Sequence, residues 1–230
     1  MASIAVYARR GLWLLALWAV LLFLGTLTHQ PAYQSHFADW TKYVTTDGFL
    51  ISHLVNSIVG AAVGALGFVS LAITLFLCGA PRLATWALGT SLVGNVFVVA
   101  VFGIAAFAQP AIGRLFISGD HHAPHLYDDV NGAPLLSTAL AGVLLLSTGL
   151  ILFGIGVRRV HLVHQAAGWC LIVGGPIFAI LGVALADFVQ SIGAAILVLG
   201  TGWIALRTEV EPVRVAESSG TGDVHEMDRR

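Results

Sequence analysis

The segment Gly119-Asp120-His121-His122-Ala123-Pro124-His125-Leu126-Tyr127-Asp128-Asp129 gathers three histidines and three aspartates within eleven residues. Imidazole suits zinc, copper or nickel, and a nearby carboxylate can complete such a ligand set. His121, His122 and His125, helped by Asp128 or Asp129, are therefore the candidate ligands for a divalent metal. Their spacing matches no zinc signature, and Pro124 argues against a single helical ligand face. The competing reading is a solvated polar loop.

A second set of polar residues lies within apolar sequence. His53, Asn56 and Ser57 stand at i, i+3 and i+4, so on a helix they share one face. Asn95 is alone near the middle of another apolar run. His53, Asn56 and Asn95 form the candidate intramembrane polar cluster, expected to face other helices and not lipid. The competing role for the two amides is an interhelical hydrogen bond of about 0.6 kcal/mol, at most about 2. No acidic residue lies deep in a run, which argues against a proton relay. Haem between two histidines is not expected either. Only His29 lies at the depth of His53, and His161 and His164 fall at the opposite end. The cofactor stays open, with a divalent metal as the candidate.

The elements that position these groups are long and apolar. Of 230 residues, 57% are hydrophobic and 10% charged, with a mean hydropathy of +0.88. That composition excludes an ordinary water-soluble domain and gives no basic surface for nucleic acid. A helix crossing about 30 Å of hydrocarbon needs roughly 20 apolar residues. Six runs qualify: 11–28, 48–77, 83–108, 133–157, 166–185 and 189–206. The last two are parted only by Ala186, Asp187 and Phe188, which predicts a tight hairpin. The runs lack period-2 alternation, so sheet is not expected. The fold predicted is an all-α polytopic membrane bundle of six transmembrane helices.

Charge gives the orientation. Nine of the 11 basic residues, Arg9, Arg10, Arg82, Arg158, Arg159, Arg207, Arg214, Arg229 and Arg230, fall on one side of six alternating spans. Lys42 and Arg114 fall on the other. Basic residues near span ends stay cytoplasmic, so both termini are predicted inside a cytoplasmic (inner) membrane. The basic start of the first run also fits a signal peptide, but the sequence after it offers no small-x-small cleavage site. Residues 1–207 are expected to form the transmembrane domain, and 208–230, poor in apolar residues, a disordered tail. Cys78 and Cys170 lie near the cytoplasmic side and are read as small packing residues.

Between the first two runs, Tyr33, Phe37, Trp40 and Val44 recur at helical spacing. They predict a short amphipathic helix anchored in the outer interface, with Thr46 or Asp47 capping the next span. Ala111 to Ser118 predicts a second interfacial turn with Ile112, Leu115 and Phe116 inward. Gly60 and Gly64 form a small-residue stripe for close helix packing. Gly174-Gly175-Pro176 should break and kink the fifth helix, since proline removes a donor and clashes with the preceding turn. His53-Leu54-Val55 and His161-Leu162-Val163, with Gly60/Gly168 and Gly67/Gly175 at the same offset, suggest an inverted repeat.

The functional class implied is a non-enzymatic membrane protein that binds a ligand, senses something or supports a partner. A small-solute or ion transporter is the first alternative, on the Gly-Gly-Pro break and the repeat. A metal- or haem-binding redox protein is the second, on the histidines. The bilayer is the partner that the composition implies; a protein partner or a second copy of the chain is left open.

Overall fold

The computed structural model describes residues 2–27, 30–181 and 187–208. Among these residues every regular element is helical. In chain order they are α1 (Ala2–Gly25), α2 (Phe37–Val44), α3 (Asp47–Leu77), α4 (Pro81–Ile117), α5 (Ala123–Val130), α6 (Ala133–Arg159), α7 (Gln165–Leu181) and α8 (Asp187–Arg207). Five of them, α1, α3, α4, α6 and α8, are long and apolar enough to cross a membrane; α7 is apolar but shorter. The link 182–186, the end of the fifth predicted run and the tail from 209 lie outside the described residues.

Local chemistry sets the ends. Thr46 caps α3 by accepting from the Phe49 amide at 3.2 Å. After α3, Gly79 takes φ +88°, and the amides of Gly79 and Ala80 return to Phe76 and Leu75. Pro81 then opens α4, where its missing donor is harmless. His161 ends α6 in the same way at φ 50°, its amide and that of Leu162 returning to Arg158 and Val157. The triplet at His161 is thus a helix ending, whereas the triplet at His53 is inside α3. The two segments of the suggested repeat do not share local structure there.

The long helices close a ring in chain order: α1 packs on α3, α3 on α4, α4 on α6, α6 on α7, α7 on α8, and α8 on α1. Glycines set the approach. A side chain at Gly64 would strike the Trp18 ring and one at Gly67 the Leu15 backbone, while Gly60 faces Leu21 at ordinary contact distance. Those partners descend as the α3 positions rise, so α1 and α3 are antiparallel. Gly94 and Gly142 bring α4 against α6; Gly174 and Gly193 bring α7 against α8. Cys170 packs over Gly200, as a small apolar side chain would.

Two cores result. The large one fills the ring, with Trp18 edge-on to Phe68 and Phe68 stacked near Phe153, all essentially unexposed. Leu12, Leu15 and Leu22 of α1 belong to it, so the first run is part of the bundle. The small core is Trp40, Val44, Phe49, Ile112, Ala123 and Tyr127. It joins α2, α5 and the end of α4 into a folded cap over one end of the ring.

The cap revises two expectations. Residues 111–117 are not a separate interfacial turn but the last turns of α4, although Ile112, Leu115 and Phe116 do face the small core. The aromatic stripe of α2 packs on protein: Trp40 meets Tyr127 at 4.8 Å and Phe37 meets Phe116 at 5.0 Å.

Candidate functional site: a capped polar cavity

Three helices loosen their hydrogen-bonding pattern at the capped end. π-Helical turns occupy 52–59 in α3, 104–108 in α4 and 177–181 in α7. Gly60 donates to Val55 and Gln109 to Ile104, five residues back in each case. Such turns are rare and concentrate at functional sites. One has a visible cause: Pro110 follows the α4 turn and would clash with the Ala106 carbonyl in a regular helix. Pro176 precedes the α7 turn, and its clash falls on the turn before it, at Ile172, so it does not explain that widening. The α3 turn has no proline. There the His53 ring nitrogen Nδ1 lies 2.9 Å from the Phe49 carbonyl, intruding on the i to i−4 ladder.

The α3 and α7 turns border one cavity of about 160 Å³, which α4 reaches through Phe102 just before its own turn. From α3 it is lined by His53, Asn56 and Ser57. The end of α1 and the following segment give Leu22, Gly25, Thr26 and Gln30, and the cap gives Tyr43. Phe102, Phe178 and Gln190 close it from α4, α7 and α8. The described lining holds polar side chains and no Lys, Arg, Asp or Glu. Gln30 reaches Gln109 at 3.5 Å, and Ser191 donates to the Thr26 carbonyl at 3.1 Å, tying the rim together.

His53 and Asn56 thus come together, and Asn95 does not join them. His53 stacks on Phe49 at 4.1 Å between ring centroids. A carbonyl only accepts, so Nδ1 carries the proton in that bond and a neutral ring keeps Nε2 as an acceptor. Asn56 reaches Ser52 Oγ at only 3.4 Å, leaving most of its amide capacity free. Asn95 is 6% exposed and donates to the Ala61 carbonyl on α3 at 2.9 Å, an interhelical bond. Gly60 and Gly64 continue the Asn56 face along α1, with Gly25 packed near the Asn56 Cβ.

The histidine–aspartate segment is placed elsewhere. His121 and His122 precede α5, while His125, Asp128 and Asp129 lie on it, and all five are exposed. Pro124 is in the first turn of α5, so it permits the helix it was expected to prevent. Asp120 accepts from the His122 amide at 2.8 Å, a local turn. Among the described residues no three His, Cys, Asp or Glu side chains gather closely enough to hold a metal ion. Beneath these residues Tyr127 is buried, and its hydroxyl is pushed up to about 12 by burial, with the Tyr33 and Asp128 charges adding to it.

Gly174 and Gly175 are both buried in α7, against α8 and Leu150 of α6 respectively. Their role in the fold is close packing, with the widened turn beginning after Pro176. The sequence reading missed Thr26, Gln30 and Tyr43 as cavity residues. Each is a single polar group near a span end, and only the ring closure brings them to α3. No family model, curated protein or solved structure matches this chain.

Proposed function

We propose that this protein is a six-span membrane protein that binds a small ligand through uncharged hydrogen-bonding groups in the capped cavity. The observation that carries this reading is convergence. Polar side chains from the segment after α1, from α3, α8 and the cap meet in one space, at the end of the bundle where three helices widen. Merely structural amides would resemble Asn95, bonded to a neighbouring backbone. Asn56, Ser57 and Gln190 instead line open volume.

The basic residues favour an outward-facing cap. Antiparallel packing puts Arg9, Arg10, Arg82, Arg158, Arg159 and Arg207 at the end opposite the cap, and Lys42 and Arg114 at the capped end. Both termini are then cytoplasmic and α7 is the fifth crossing, its axis bent at Gly174–Pro176. The metal reading loses ground because its residues are dispersed and exposed. Transport keeps a narrower case. Below the cavity the ring is filled by Trp18, Phe68 and Phe153, so passage would require that aromatic core to open.

The test is retention of a bound small molecule. Protein purified gently from membranes is extracted with organic solvent, and the extract is compared by mass spectrometry with that of an Asn56→Leu/Gln190→Leu variant. The wild type should carry a compound that the variant lacks, with both folded by circular dichroism. Identical extracts from the two proteins refute the binding role.

A further inference from the structure

We infer that the ligand is an uncharged amphiphile, a hydroxyl- or carbonyl-headed lipid whose hydrocarbon tail lies in a second cavity beside the polar one. This rests on the binding role proposed above. The second cavity holds about 300 Å³ between α4, α6 and the end of α7. Phe102, Phe178 and Gln190 line both spaces, so head and tail sites share one partition.

Each half selects one part of such a molecule. In the polar half, an acceptor nitrogen on His53 and the Asn56 and Gln190 amides can bond a hydroxyl or a carbonyl. A phosphate or ammonium head would enter that space with no opposite charge from the described lining, which is unfavourable in a low-dielectric site. In the apolar half Gln190 is the only polar residue among the described lining, and the rest of that lining is aliphatic or phenylalanine. A water-soluble ligand would leave this half empty, and a bare hydrocarbon would leave the polar half unbonded.

The rim supplies a route. Leu136 and Leu140 line the apolar cavity and are 69% and 55% exposed on α6, so the tail site reaches the lipid-facing surface. A membrane lipid can enter sideways without crossing the cap. Size agrees as well. The polar cavity alone falls below the roughly 300–1,000 Å³ of small-molecule sites, and joined to its neighbour it lies within that range.

The experiment uses full-length protein in phosphatidylcholine nanodiscs and native mass spectrometry with four probes. These are a quinone with two isoprenoid units, dioctanoylglycerol, dioctanoyl phosphatidylglycerol, and the tail-less dimethoxy-methylbenzoquinone. One of the two neutral tailed probes should bind saturably, and which one binds tells a carbonyl head from a hydroxyl head. Its affinity should exceed that of the charged lipid and the tail-less probe by at least about tenfold, given the tail's burial. Ala139→Phe, which fills the tail site, should weaken it by a similar factor, and Val143→Phe serves as a second variant should the first not fold. Equal binding of phosphatidylglycerol, or full binding in a folded plugged variant, overturns the amphiphile. Tight binding of the tail-less quinone also overturns it while leaving the polar binding site standing. Binding of none of the probes, together with no retained compound in the extraction experiment, overturns both.

Discussion

Asn56 and Asn95 are the same residue type in similar apolar sequence, and the difference lies in what their amides have left to give. Asn95 spends its donor on the Ala61 carbonyl in a site closed to solvent. Asn95→Leu should therefore destabilise the fold by about 0.6–2 kcal/mol, read from thermal or denaturant unfolding, without emptying the cavity of its ligand. Asn56→Leu should do the reverse, lowering ligand retention with little change in unfolding. Equal effects of the two on retention would contradict the division of labour. Tyr127 makes a third residue-scale prediction. Its folded-state ionisation lies near 12, above the ordinary value of about 10, so the unfolded chain loses the proton first as pH rises. The contribution is fully present below about pH 10 and fades toward pH 12. Protease sensitivity of the cap should rise in that window, and Tyr127→Phe should flatten the rise.

Among the elements, the long apolar helices were legible because hydropathy over 20 residues is a strong signal: α1, α3, α4, α6 and α8 overlap five of the six expected runs, with α1 starting earlier and α4 running on to Ile117. The cap was not. Its aromatic residues sit in two segments about seventy residues apart, and each alone resembles an interfacial anchor. Only their mutual contact distinguishes a folded cap from two anchors, and no local pattern encodes it. The widened turns were also hidden: Pro176 suggested a kink and not a π-turn, and the sequence reading did not single out Pro110. His53 and Asn56 were recoverable because one helix face carries both; Gln30, Tyr43 and Gln190 come from three other segments. The cap can be tested as a unit. Trp40 is fully buried and packs on Tyr127, so Trp40→Ala should cost about 3–5 kcal/mol of local stability. Proteolysis within 33–44 should speed up while the long helices stay protected. An unchanged cleavage rate would mean that α2 is held by something other than this core.

At the scale of the whole molecule, six of the eight basic residues among the described residues lie at the end of the ring opposite the cap. Reporter fusions after Arg159 and after the end of the chain should both register the cytoplasm, and a tag inserted at Gly119 should be reached from outside intact cells. An external signal from either fusion would remove the six-span arrangement, and with it the outward-facing cap. The cavity itself does not depend on this result, because its geometry is set by helix contacts and not by the direction of insertion.

The ring has a consequence for biosynthesis. Each long helix neighbours the one made just before it, so synthesis order can serve as assembly order, with mostly local contacts forming as segments leave the ribosome. One seam is an exception: α1 waits for α8, the sixth of these long helices in chain order, with Leu12, Leu15 and Trp18 among the side chains that end up interior. Until then α1 has a partner on one flank only. A nascent chain stalled before Asp187 should therefore be an early substrate for membrane quality control, and α8 supplied as a separate polypeptide should rescue it.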